Sequence, residues 1–250
     1  MTSLFLAWQA PDESSKSRAW FPVGRLDAEP ELRHYRFRYT RGALTAREEV
    51  GFVPFLSFPD FQRDYESPVL FPLFENRVLS PKRSDFGEYI SWLGLEPANA
   101  DPIAVLSVSG GERLTDSLEV FPEVRADSEG VFKVRFFLHG LRHLGKAAID
   151  RASSLQVGED LRIMVEINNP ATRLAITLNS SDYQMIGWAP RYLVPDMLNC
   201  VPHAPDVSAR VVRINSNTAP LNQRFMIEYV GKAAAGKQPM STPDFLPLLD

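Results

Sequence analysis

Short runs of alternating apolar and polar residues, cut apart by Pro, Gly and acidic clusters, fill the first third of this 250-residue chain. A period of two is the pattern of strands with one face inward, so this region is expected to fold as a meandering sheet. "WFPVGRL" (20–26) is a candidate strand, followed by the turn-like "DAEPE". In "YRFRYT" (35–40), Tyr35, Phe37 and Tyr39 fall on one face and Arg36 and Arg38 on the other. Such a face can be an aromatic platform that stacks single-stranded bases. The more ordinary outcome puts the aromatics in the core and the arginines in water. Ser67 with Pro68 predicts a helix start, and Val69, Leu70, Leu73, Phe74 and Val78 recur at helical spacing. Ser84 predicts the cap of a second helix, "DFGEYISWL", which Gly94 stops. "ADPIAVLSVSGGERLTDSLEVFPEV" (100–124) reads as two strands joined across Gly110 and Gly111.

Polar, flexible "RADSEG" (125–130) predicts a domain boundary. Residues 1–130 hold 14 Lys+Arg against 21 Asp+Glu, a net of −7, whereas residues 131–215 hold 10 against 7, a net of +3. An acidic front and a mildly basic rear suggest two units with different partners. Past the boundary, "VFKVRFFLHGL", "DLRIMVEI", "LAITL" and "YQMIGWAP" read as strands and "KAAIDRASSL" as a helix. "SARVVRIN" and "RFMIEYVGK" form a closing hairpin ahead of a Pro-rich tail, 231–250. The expected fold class is α+β, mainly β. It comprises a sheet-plus-helices domain over 1–125 and a small β-barrel domain over 131–230.

Catalytic patterns are sparse. "GKAAAGKQ" (231–238) has phosphate-loop spacing, but Gln238 and Pro239 stand where Ser or Thr and a helix should follow, so a flexible exit is the better account. His139 and His143 are four apart with Gly140 between them and lack a third ligand of helpful spacing. Cys200 near His203 has no orienting third group. Neither an enzyme nor a cofactor is expected. The single cysteine excludes an intramolecular disulfide and suits a reducing cytoplasm. The N-terminus carries only a short apolar run, Leu4 to Trp8, without a preceding basic residue, and acids follow it, so it is not expected to be a signal peptide. No apolar stretch approaches the roughly 18 residues of a membrane span, and a cytoplasmic chain without a membrane partner is expected.

Three segments of the rear half carry a family resemblance: "FFLHGLRHL" (136–144), "INNPATRLAITL" (167–178) and "IGWAPRYL" (186–193), in that order. Together they resemble a HIRAN domain, a small β-barrel of some DNA-repair helicases and many bacterial proteins. In members that bind DNA ends, an Arg at the first motif's corner and a Tyr-Asp after the proline hold the 3′ end. Arg142 stands at that corner with His143 in the aromatic place, but Ala171 and Thr172 replace Tyr and Asp, and Leu174 replaces an Asn. The resemblance implies a degenerate site. Arg142, His143, Arg173 and Arg191 are its candidate nucleic-acid-binding residues, with weak, phosphate-directed affinity for single-stranded DNA.

The front half resembles the N-terminal subdomain of HipA-family kinases, which also occurs alone in HipS-type antitoxins. The residues concerned are "VGRL" (23–26), "YRFRYT", "FLSFPD" (55–60), "LFPLFENRVLSP" (70–81) and "GGERLTDSLEVFP" (110–122). The resemblance implies a non-enzymatic antitoxin or regulator of a separately encoded HipA-like serine/threonine kinase. Phe61, Tyr65, Phe71 and Phe74 cannot share one helical stripe, so at least one is expected outward as a partner-binding residue. The alternative is a nucleic-acid-binding HIRAN module in DNA repair or phage defence.

Overall fold

The computed structural model describes residues 1–11, 18–113 and 115–249. Asp12 and Glu13, the first acids after the N-terminal apolar run, fall outside the described residues, as does the side chain of His203. Two compact units are present: Met1–Glu123 with Met240–Asp250, and Val124–Pro239. The architecture is α+β and mainly β, with two antiparallel sheets and six α-helices among the described residues.

The first unit contains β1 (Thr2–Gln9), β2 (Trp20–Glu29), β3 (His34–Tyr39), α1 (Arg41–Val50), β4 (Tyr65–Ser67), α2 (Pro72–Glu75), α3 (Phe86–Leu93), α4 (Pro102–Ser109) and β5 (Leu118–Pro122). Its strands lie in the order β4-β3-β2-β1-β5. One sheet face supplies Leu4, Leu6, Leu26, Phe37 and Val120 to the core, which Phe58, Phe74, Ile103 and Leu106 complete. Three local readings are corrected. The helix expected from Ser67 is a strand end instead. The Ser67 hydroxyl donates to the Val69 carbonyl at 2.6 Å, and the helix waits for Pro72. Its neighbour α3 is led by Asp85, one residue past the expected Ser84. Residues 102–109 are helical despite their β-branched content. Asp101 accepts from the amides of Ile103 (2.8 Å) and Ala104 (3.2 Å), Pro102 opens the first turn, and Gly110 closes the last at φ +73°. Among the elements the sequence reading left out is α1, whose buried residues are only Gly42, Ala43 and Ala46, too small to print an apolar stripe.

The other face of the same sheet is also covered. Phe5 and Phe121, side by side with ring centroids 5.9 Å apart, meet the edge of Phe245 at 4.9 and 6.4 Å. Residues 240–249 thus form a strap on the first unit. The Arg41 amide donates to Leu246 O, the Leu248 amide to Tyr39 O, and the Thr45 hydroxyl to the Asp244 carboxylate. A Cβ on Gly42 would meet the Pro22 carbonyl oxygen at 2.2 Å and that of Asp244 at 3.0 Å, so only glycine lets α1 lie this close to β2 and the strap. The arginines of this face are not in open water. Arg25 pairs with Asp27 (2.8 Å) and Glu123 (2.9 Å), Arg38 pairs with Asp27 (2.9 Å), and the Ser3 hydroxyl donates to Asp27 (2.6 Å). Burial pushes the Asp27 carboxyl up, but Ser3 and the two guanidiniums outweigh it and leave the group below its ordinary value.

The second unit contains β6 (Val131–Phe137), α5 (Lys146–Ser153), β7 (Asp160–Asn169), β8 (Arg173–Asn179), β9 (Met185–Trp188), α6 (Val194–Asn199), β10 (Ser208–Ile214) and β11 (Phe225–Lys232). The strand order is β6-β11-β10-β7-β8-β9. Beyond the end of β6, His139 exchanges both backbone hydrogen bonds with Trp188 at 3.0 Å, so the two ends of the sheet touch at one residue pair. Phe132, Phe136, Leu138, Ile176, Leu178, Ile186, Val211, Ile227 and Tyr229 are buried. The outer part of β7 and β8 is not: Met164, Val165, Ile167 and Leu174 stand in solvent.

Candidate functional site

The three segments that carried the rear resemblance converge around Trp188. The His139–Trp188 bridge brings the corner Gly140–His143 against β9. Gly140 has φ +77°, and a Cβ there would stand 2.2 Å from the Trp188 ring, so the corner can pass the indole only as glycine. Trp188 Nε1 donates to Glu166 Oε2 at 2.8 Å, and the same oxygen accepts from Asn169 Nδ2 at 3.0 Å. Asn169 in turn accepts, through Oδ1, from the amides of Ala171 and Thr172 and from the Thr172 hydroxyl, each at 3.0 Å. The proline turn is therefore held by its own asparagine, and the Thr172 hydroxyl is spent inside it. Arg173, at φ +63°, pairs with Asn169 across the hairpin.

Of the candidate basic residues, Arg142 and His143 are exposed at the corner, where Arg142 Nε donates to His143 Nε2 at 3.0 Å. Arg173 is exposed beside the proline turn, and Arg191 is half-buried in the turn Arg191–Leu193, three residues past Trp188. Several other cations of this unit are matched by acids. Lys133 and Arg135 pair with Glu228, Arg151 with Glu159 and Asp182, and Arg210 with Asp160. Among the described residues no carboxylate pairs with Arg142 or Arg173. Trp188, Glu166 and Asn169 were absent from the sequence candidates. Glu166 and Trp188 lie 22 residues apart in the chain and meet only through the β7–β8–β9 register.

The front candidates come out differently. Phe74 is fully buried, with its ring 6.0 Å from Phe37, and cannot meet a partner while the unit is folded. Phe61, Tyr65 and Phe71 are half-buried against the same core. Phe61 sits edge-on to Tyr39 at 4.7 Å, and Tyr65 and Phe71 flank Phe58 at 5.0 and 5.1 Å. The four come from a loop, a strand, a helix cap and a helix, so failure to share a helical stripe does not turn any of them outward. The large apolar side chains exposed nearby are Val53, Leu56 and Val69.

Cys200 is buried, and burial pushes its thiol up, away from a reactive thiolate. The chain after β11 turns at Gly236 and starts no α-helix that could cradle a phosphate. Among the described residues no group of three or more His, Cys, Asp or Glu could hold a metal ion, and no helix is long and apolar enough to cross a membrane.

No family model matches this chain, and no curated protein does. Among solved structures, the crystal structure of a protein from Lactobacillus plantarum is similar over 41% of this chain and 99% of its own. The two are 15% identical with a TM-score of 0.31, too slight a likeness to carry an argument.

Proposed function

We propose that the chain is a non-enzymatic interaction protein whose second unit binds single-stranded nucleic acid weakly, through phosphate rather than through a strand end. The observation that carries this reading is the corner at Trp188, where Arg142 and His143, the indole and the Asn169 turn are brought together from three distant segments. Arg142, in the corner that passes the half-buried indole, and Arg173, beside the proline turn, have no carboxylate partner among the described residues, and cations with an aromatic ring are the parts that a sequence-tolerant single-strand site uses. The turn has no tyrosine for stacking and no aspartate to accept a terminal hydroxyl, and Thr172 already donates to Asn169. Anisotropy titrations of a labelled oligonucleotide test the reading. With two phosphates engaged, affinity should fall about sevenfold between 50 and 200 mM salt. Paired R142A and R173A substitutions should flatten that dependence, and blocked and free 3′ ends should bind alike. No binding at 50 mM salt would sink the reading, and a preference for free 3′ ends would restore end recognition.

The first unit is the protein-binding half on this proposal. The exposed Val53, Leu56 and Val69 favour it, and the family resemblance makes a HipA-like serine/threonine kinase the candidate that an antitoxin-like or regulatory chain would restrain.

A further inference from the structure

The turn that joins β8 to β9, "SSDYQ" (180–184), is closed by its own backbone. The Tyr183 amide donates to Ser180 O and the Ser180 amide to Gln184 O, both at 2.9 Å. Hairpin turns of this kind end on a left-handed residue, a place that glycine fills at least cost. Here it is Tyr183, at φ +64°, and an aromatic residue in that region is strained. Burial does not offset the strain, because Tyr183 is 64% accessible. Nor does its hydroxyl, which bonds to no protein group among the described residues. The ring carries a guanidinium instead: Arg162 Cζ lies 4.7 Å from its centroid.

The strand register fixes the face to which this pair belongs. Arg162 lies opposite Asn179, Met164 opposite Thr177, and Thr177 opposite Trp188. Directly opposed residues share a face, so Arg162, Met164 and Trp188 stand together, in agreement with the bond from Trp188 Nε1 to Glu166. Ile176 and Leu178 point to the buried side. Arg162 is two residues along β7 from Met164, which sets the Arg162–Tyr183 pair about 7 Å along the strands from Trp188. Aromatic rings so placed on one face of a sheet are what the bases of an extended single strand stack on.

Charge selects the same ligand. Arg162 Nε donates to Ser181 O at 3.5 Å, and no carboxylate pairs with this guanidinium among the described residues. The acids around the turn are taken by other cations. Arg151 holds Glu159 (2.6 Å) and Asp182 (2.9 Å), and Arg210 holds Asp160 (2.8 Å). An unpaired guanidinium suits a phosphate and an exposed ring suits a base, so a nucleotide can meet both at once.

We propose that Tyr183, backed by Arg162, is a base-stacking residue that extends the single-strand site from Trp188 across the face of β7, β8 and β9. The inference rests on the reading of the second unit as a weak single-strand binder and adds a contact to it.

Anisotropy titrations of the full chain test it, with Y183G, Y183F and R162A beside the wild type. The probes are a labelled oligothymidylate and a chain of the same length whose sugars carry no bases. At about 50 mM salt, Y183G should bind oligothymidylate at least about fivefold more weakly than the wild type, and Y183F should stay within about twofold. R162A should lower the slope of log affinity on log salt by about one. On the chain without bases, wild type and Y183G should bind alike, because nothing remains to stack. Glycine relieves the left-handed backbone, so Y183G should melt at or above the wild-type temperature. A wild type that binds oligothymidylate but is matched by Y183G overturns the stacking role and leaves the corner at Trp188 standing. A Y183G deficit that persists on the chain without bases, or that Y183F shares, overturns stacking as its cause. Failure of the wild type to bind oligothymidylate overturns this inference together with the reading on which it rests.

Discussion

In the first unit, side chains are buried on both faces of the sheet, Leu4, Leu26 and Phe37 on one and Phe5, Asp27 and Phe121 on the other. In the second unit, β7 leaves Met164, Val165 and Ile167 accessible, the last at 70%. The contrast is between a sheet finished by its own chain and a hairpin left unfinished. On the first sheet the covered charges are satisfied in place. Asp27 receives Ser3, Arg25 and Arg38, which is the condition under which a buried carboxylate is tolerated. On the second, the exposed apolar residues lie near the Asn169 turn and hold little of the folding energy. Apolar burial is therefore two-sided where the strap lies and incomplete along the outer part of the β7–β8 hairpin.

Removing the strap is the strongest way to break this contrast. The F245A variant empties the space against Phe5 and Phe121, at a cost of about 3 kcal/mol or more. Hydrogen exchange should quicken in β1, β2 and β5 and stay unchanged in β6 to β11. Equal loosening of both sets would show that the units do not hold their stability separately.

A smaller effect sharpens the electrostatic side. The D27N variant should lose about 2 kcal/mol at neutral pH, the scale of hydrogen bonds to a charged group. The wild-type carboxyl is held below its ordinary value, so its contribution is complete above pH of about 4 and is lost as pH falls toward the folded value. Urea midpoints of the two proteins should therefore converge as pH drops from about 4. A gap independent of pH would mean that Asn disrupts packing rather than charge.

The smallest expected change is at the hairpin. I167S should shift stability by no more than about 0.5 kcal/mol, because the side chain is already in water. A larger loss in thermal melting would mean that the hairpin is covered in solution, and the contrast between the units would fail.

Much of the sheet structure was legible because its code is local. Period two over Tyr35–Tyr39 places Phe37 and Tyr39 in the core, and the hairpin of β10 and β11 reads directly from its two flanking runs. Helices were harder where packing uses small or β-branched residues. Gly42, Ala43 and Ala46 leave no stripe, and "PIAVLSVS" looks like a strand until Asp101, Pro102 and Gly110 are read as its caps. For the candidate corner, Arg142 and His143 were visible as part of a motif. Trp188 and Glu166 were not, because the register of three strands makes them neighbours. Helical geometry led to the expectation that at least one of Phe61, Tyr65, Phe71 and Phe74 faces outward, in a stretch where the chain is mostly not helical.

The strap also sets an order of events during synthesis. The 116 residues of Val124–Pro239 are made after β5 and before Phe245. At about 5–20 residues per second, that leaves an interval of roughly 6–25 seconds on the ribosome. Throughout it Phe5 and Phe121 lie bare on a sheet that is otherwise complete, open to a chaperone or to a neighbouring nascent chain. Completion of the first unit thus waits on synthesis of the whole second unit.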